Sequence, residues 1–204
     1  VPTSSILSSY FGHGYVSYNQ SIISKITEDP TQPSVKKTKG RPDFKALAME
    51  HGVKYEPQAK SAFMKYAIRH WGGSDSGLRI QASGEISRLV EAKYDGACTK
   101  LIVTPDLVLC TDTDKRIVEF KCPYFAILKK GEKTVSLIAM EFIQANEWGK
   151  ENSFIQAATY AMVSDADVFT TCYYFTDGSF DDVIVVYNYR LSSELVSELM
   201  AAIT

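Results

Sequence analysis

Two acidic residues and a lysine stand in an arrangement that could hold a divalent cation. The runs KLIVTPDLVLC (100–110) and RIVEFKC (116–122) flank TDTD (111–114), a turn signal between two β-type segments, so they read as a hairpin. With TDTD as a four-residue loop, Cys110 pairs with Lys115. That register sets Asp106 opposite Glu119, with roughly 5 Å between the Cβ atoms. Strand side chains alternate, so Glu119 and Lys121 share one face while Val118, Phe120 and Cys122 point to the other. A bare pair of acids repels, and burying either costs stability unless a cation lies between them. Oxygen ligands at this spacing favour Mg²⁺ or Mn²⁺, and Lys121 alongside is placed to hold or deprotonate a water. The plainer reading of the same residues is a surface Asp/Glu/Lys cluster that contributes little.

The elements around the hairpin must position these groups. DFKALAMEHG (43–52) offers Asp43 as a cap and Gly52 as a stop, which predicts one helix. YEPQAKSAFMKYAIRHW (55–71) predicts a second, with Pro57 in its first turn and Ala59, Phe63, Tyr66, Ala67 and His70 along one apolar face. After Gly72-Gly73 comes LRIQASGEIS, another β-type run. A helical stretch from about Val135 to Val163 is expected in two pieces broken near Gly149. FTTCYYF and DVIVVYNYRL predict two more strands joined by TDGSFD, and SSELVSELMAAI closes the chain as a capped amphipathic helix. Together these describe an α/β, or α+β, layered domain with a central mixed sheet flanked by helices. Residues 1–41, with Pro30 and Pro33, read as an N-terminal arm with a short helix near Ser21 to Ile26.

The chain has 204 residues, 45% of them apolar and 23% charged, enough for one domain with a real core. That excludes a disordered tail, a collagen-like repeat and a disulfide miniprotein. No apolar run approaches the roughly 18 residues of a membrane span. Val1 to Tyr10 lacks the basic start and apolar core of a signal peptide, and a first residue of Val points to a native start further upstream. Cys98, Cys110, Cys122 and Cys172 are too far apart for a CxxC motif, which suits free thiols in a reducing, intracellular compartment. Net charge is −2, but between Val35 and His70 nine Lys/Arg face three Asp/Glu, and after Ala161 only Arg190 is basic. Charge is therefore segregated, and a nearly neutral protein can carry an electropositive surface; the plainer alternative is a solvated helix face.

Four pieces taken together resemble the PD-(D/E)XK nucleases: PD at 105–106, EFKCP at 119–123, GVKYEPQA at 52–59 and QAATY at 156–160. Their order and the EFKCP form look most like the lambda-exonuclease branch, also called YqaJ-like viral recombinases, over about residues 43–175. The resemblance implies a restriction-endonuclease-like core in a single nuclease domain, with residues 176–204 adding a strand and a helix. It also implies two Mg²⁺ ions, with Mn²⁺ as substitute. Asp106 and Glu119 would bind metal, with Glu56 completing the site and the Phe120 backbone carbonyl as a further ligand. Lys121 would assist the attacking water, and Gln156 with Tyr160 would support the centre. Glu56 could equally be a favourable acid at a helix N-terminus, and Tyr160 half-buried packing. Lys54, Lys60, Lys65, Arg69, Lys129, Lys130 and Lys133 are the expected phosphate contacts.

The function so implied is a metal-dependent deoxyribonuclease, acting as a 5′-to-3′ exonuclease on duplex ends in recombination or viral DNA processing. Its partners would be duplex DNA, further copies of the chain and a single-strand annealing protein, with no membrane. An endonuclease or RNase on the same scaffold, and a catalytically silent nucleic-acid-binding module, are the alternatives. Two features depart from the family pattern. Gly96-Ala97 is separated from Pro105 by CTKLIVT, and the family's N-terminal arginine motif for the 5′-phosphate is missing, which leaves Arg41 and Arg69 as substitutes.

Overall fold

The computed structural model describes residues 43–72, 77–81, 84, 86–91, 98–124, 133–144, 148–179 and 181–203. A long helix α1 (Phe44–Trp71) precedes strands β1 (Arg79–Gln81), β2 (Ile86–Glu91), β3 (Cys98–Val103), β4 (Leu107–Cys110) and β5 (Lys115–Lys121). Helices α2 (Val135–Gln144) and α3 (Trp148–Val163) follow, then β6 (Val168–Phe175), β7 (Val183–Arg190) and the closing helix α4 (Ser193–Ile203). The central sheet runs β1-β4-β5-β6-β7, with β5 and β6 parallel and the other neighbours antiparallel. A parallel pair needs a crossover, and α2 with α3 supplies it. The result is the mixed, helix-flanked α/β sheet that the element pattern predicts.

Period-two alternation sorts the strand side chains to two faces. Leu107, Leu109, Val118, Phe120, Cys172 and Tyr174 pack under Ala59, Phe63 and Ala67 of α1. The Phe63 and Phe120 rings meet edge to face at 5.5 Å. On the opposite face Val108, Ile117 and Phe169 pack against Ala157, Ala158 and Ala161 of α3. Further along that face, α2 covers Tyr173, Phe175 and Val185. Strand β6 is buried along its whole length. Leu199 of α4 is fully buried in the α3 core, so the C-terminal strand and helix are part of the core rather than an addition to it.

The hairpin has the expected register, Cys110 opposite Lys115 and Leu107 opposite Val118. The run KLIVTPDLVLC, however, is not one strand. Its first half is β3, paired with β2 in a separate two-stranded sheet, and only β4 joins the central one. The division falls at Pro105, which has no N–H for a ladder.

Helix α1 corrects a second expectation, because the two predicted helices are one. Asp43 does cap it, accepting the Ala46 N–H at 3.1 Å. Gly52 does not stop it, and Pro57 lies in its interior rather than its first turn. Tertiary packing carries the helix across both residues: Ala59, Phe63 and Ala67 anchor it on one side of Pro57, and on the other His51 packs on Tyr55 and Tyr124. Glu56 is therefore a mid-helix residue, and its reading as an acid at a helix N-terminus is withdrawn. His70, expected on the apolar face, is exposed beside Tyr66. The break between α2 and α3 falls after Gln144, with Gly149 inside the first turn of α3.

Cys110, Cys122 and Cys172 are free thiols. No helix among the described residues is long and apolar enough to cross a membrane. The arm 1–41 and its short helix lie outside the described residues. Replacing Pro57, which is exposed, by Ala restores an N–H for the Val53 carbonyl and should raise stability by about 1 to 3 kcal/mol, read by urea denaturation.

Candidate active site

Pro105 shapes the site by what it withholds. In the β4–β5 register, Phe120 lies opposite Pro105, one rung beyond the Leu107–Val118 pair and the Asp106–Glu119 position. The backbone groups of residues 116, 118 and 120 all face β4, because those of alternate residues point to the same neighbour. A complete rung at Phe120 would join its N–H and carbonyl to residue 105. Instead the Asp106 side chain takes the N–H, its Oδ2 accepting at 2.8 Å, and Pro105 has no hydrogen to offer the carbonyl. The strand end thus presents a fixed carboxylate and a backbone carbonyl that the ladder does not use. Burial raises the Asp106 pKa; the Phe120 N–H opposes this, Glu56 adds to it, and Lys121 and Lys60 oppose it more weakly.

Glu119 stands beside Asp106 and is only 2% exposed. Its Oε1 accepts from Lys121 Nζ at 2.5 Å, while Oε2 is buried without a hydrogen-bond partner. Burial pushes its pKa up to about 7; Lys121 pulls it down and Asp106 pushes it further up. Burial works against the charge on Lys121, but Glu119, and less strongly Asp106 and Tyr160, hold its pKa above the ordinary value. Lys121 Nζ also donates to Gln156 Oε1 at 3.0 Å, and Gln156 Nε2 donates to the Tyr160 hydroxyl at 2.9 Å. The pair from α3 thus reaches across to β5, and one chain of contacts joins Glu119, Lys121, Gln156 and Tyr160. Tyr160 is buried, so it packs as well as polarises.

Glu56 is not drawn into this chain. It lies on α1, the far side of the sheet from Lys121, and its Oε1 pairs with Lys60 Nζ at 2.6 Å. It is near enough to raise Asp106. Among the described residues, no three His, Cys, Asp or Glu side chains form a metal-holding group. Asp106, Glu119 and the Phe120 carbonyl are the groups at the strand end that could hold a cation, and Glu56, paired with Lys60, stands near enough to act on the Asp106 charge. The donor set fits a hard divalent ion: two carboxylates with raised pKa, one carrying a buried oxygen with no partner, beside a backbone carbonyl beyond the end of the β4–β5 ladder.

The predicted phosphate contacts divide. Lys60 is engaged by Glu56, Lys133 Nζ donates to Glu141 Oε1, and Lys54 Nζ lies 4.9 Å over the Tyr55 ring. Lys65 and Arg69 are exposed on α1. Arg41, Lys129 and Lys130 lie outside the described residues.

No protein-family model and no curated protein matches the chain. Solved structures do. The crystal structure of an alkaline exonuclease (LHK-Exo) from Laribacter hongkongensis aligns with TM-score 0.61 at 17% identity, over 99% of this chain and 83% of that one. The chain shares the fold of that exonuclease. The complex of LHK-Exo with dAMP aligns with TM-score 0.58 at 16% identity, over 98% of this chain and 83% of that one.

Sequence reasoning missed two neighbours of the acid and the lysine. In the parallel β5–β6 ladder Thr171 lies opposite Glu119 and Tyr173 opposite Lys121, both buried. Their alternation in FTTCYYF was visible, but the strand they would pair with was not. The raised Asp106 pKa also sets a pH dependence. Stability linked to its proton is complete below the unfolded carboxylate range and is lost as pH rises through the folded pKa. Asp106→Asn is neutral throughout and keeps an oxygen for the Phe120 N–H. In EDTA its melting temperature should exceed wild type at neutral pH, and the difference should close as pH falls below the ordinary carboxylate range. A difference independent of pH would contradict the assignment.

Proposed function

We propose that the chain is a metal-dependent nuclease that hydrolyses phosphodiester bonds in DNA, acting as an exonuclease on duplex ends. The observation that carries this reading is the buried, partnerless Glu119 Oε2 beside Asp106, with Lys121 fixed next to it, in a fold shared with an alkaline exonuclease. The complex of LHK-Exo with dAMP supports deoxynucleotides as the class of product. The 5′-to-3′ direction, the role in recombination and an intracellular site of action belong to the same reading.

Asp106, Glu119 and the Phe120 carbonyl would hold Mg²⁺, with Mn²⁺ as substitute. An ion held by these groups would supply Lewis-acid polarisation of the scissile phosphate and a more acidic attacking water. Glu119 must give up the proton that burial encourages it to keep. Lys121 presents its ammonium beside the acids, where it can orient a water and offset charge developing on the phosphate. Gln156 holds the Lys121 amine by its carbonyl oxygen, and Tyr160 holds the Gln156 amide, so the amine cannot turn away from the acids.

Asp106→Asn and Glu119→Gln should each lower turnover on linear duplex by at least about 100-fold while DNA binding persists, because fewer negative charges then face phosphate. Lys121→Ala should cost about 100-fold in turnover with little change in affinity. End-labelled linear duplex, closed circular DNA and RNA, each with Mg²⁺ or EDTA, test the reading directly. Linear duplex should be degraded and circles spared; rapid nicking of circles would move the assignment to an endonuclease, and cleavage in EDTA would reject the metal. Because Glu119 must ionise to ligate, calorimetric Mg²⁺ affinity should rise as pH passes about 7, with proton release on binding. A pH-independent affinity would remove Glu119 from the ligand set.

A further inference from the structure

Helix α1 carries two kinds of cation. Glu56 and Lys60 lie on the flank turned toward Asp106, whose pKa both affect. At 100° per residue, Lys65 and Arg69 lie roughly 140° to 180° round the helix from Glu56 and Lys60, on the flank turned toward β7. There they border a groove of about 350 Å³ between α1 and the β6–β7 end of the sheet, within the size range of small-ligand sites. Tyr66 and Tyr174 wall it, and Asp182 and Ile184 contribute from the β7 side.

Three features of the groove point to its ligand. Lys65 and Arg69 are four residues apart and repel each other, and neither makes an ion pair among the described residues, so an anion between them would relieve that repulsion. The Tyr66 ring, half-buried between Phe63 and His70 with Trp71 at its edge, is a rigid apolar wall that narrows the groove. The Asp182 carboxylate accepts from the Tyr174 hydroxyl at 2.7 Å, which fixes an acceptor in the groove suited to the amino groups of bases rather than to phosphate. Cations on the rim, a ring in the wall and a fixed acceptor within match an unpaired nucleotide. A duplex cannot present a base edge to such a recess without opening.

We propose that the α1–β7 groove binds a single-stranded segment of DNA, with backbone phosphate at Lys65 and Arg69 and a base edge at Asp182. The groove lies on the α1 side of the sheet, away from Lys121 and Gln156, so it holds strand that is not being cut. This deepens the nuclease reading and rests on it: the substrate becomes a duplex end carrying an unpaired strand.

The test uses the full chain with Asp106→Asn, in EDTA, against a blunt duplex and the same duplex with a 12-nucleotide oligo(dA) overhang. The overhang substrate should bind about tenfold tighter. Adding Lys65→Gln with Arg69→Gln should abolish that advantage and reduce the slope of log K against log salt by about 1.4, or about 0.7 per lost single-strand phosphate contact. Both side chains are exposed, so an unchanged melting temperature verifies the fold of the variant. Equal affinity for the two substrates, or an equal loss on both, would overturn the groove assignment. Mg²⁺-dependent cleavage by the wild-type chain is scored separately. Cleavage without an overhang advantage sinks the groove and keeps the nuclease, whereas an overhang advantage lost in the double variant, without cleavage, does the reverse.

Discussion

The hydrogen bond from the Phe120 N–H to Asp106 Oδ2 is the contact on which the rest of the site depends. A side-chain oxygen there takes the donor of a backbone rung, and it can do so only because the chain stops being a strand at Pro105. One substitution of partner has three effects. It ends the β4–β5 ladder, it fixes a carboxylate at the end of the sheet beside Glu119, and it leaves the Phe120 carbonyl facing the same space. A residue with an N–H at position 105 could complete the rung and compete for that carbonyl. The proline therefore shapes the candidate site without lending it a polar side chain.

Glu119 shows which electrostatic effect wins. Lys121 lies at hydrogen-bonding distance and would normally hold a carboxylate well ionised, yet burial and the Asp106 charge outweigh it and leave Glu119 poised near neutrality. One ammonium cannot satisfy two carboxylates when only one of the four carboxylate oxygens touches it. The buried Oε2 is the remainder of that imbalance. Such a centre is destabilising on its own, and in the proposed reading a divalent cation would neutralise it. Gln156 and Tyr160 extend the same network, Gln156 accepting from the Lys121 amine and donating to Tyr160, and the imbalance stays at the unpaired Glu119 Oε2.

What the sequence disclosed divides by distance along the chain. Asp106, Glu119 and Lys121 are joined by a four-residue turn, so alternation and loop length suffice to place them together. Gln156 and Tyr160 come from a helix whose packing on β5 has no local signal, and they were reached through resemblance instead. The β5–β6 pairing was not legible at all, because a parallel neighbour arrives after a crossover of more than forty residues. Thr171 and Tyr173 were therefore missed. Gly52 and Pro57 misled for a related reason: both disfavour a helix locally, but anchoring at His51 and Tyr55 before Pro57, and at Ala59, Phe63 and Ala67 after it, outweighs a penalty of a few kcal/mol.

The continuity of α1 has a consequence for charge. Had the chain broken at Gly52, a basic helix beginning at Glu56 would have aimed its N-terminus and its acid at Asp106. As one rod of 28 residues it instead lies across the sheet with its apolar stripe buried and a flank on either side. One flank places Glu56 and Lys60 beside Asp106, where the Glu56 charge raises its pKa and the weaker effect of Lys60 opposes it. The other keeps Lys65 and Arg69 away from both acids and beside the aromatic groove. A run of lysines and arginines that looks uniform in one dimension is thus two surfaces. The apolar period that buries Ala59, Phe63 and Ala67 decides which cation belongs to which.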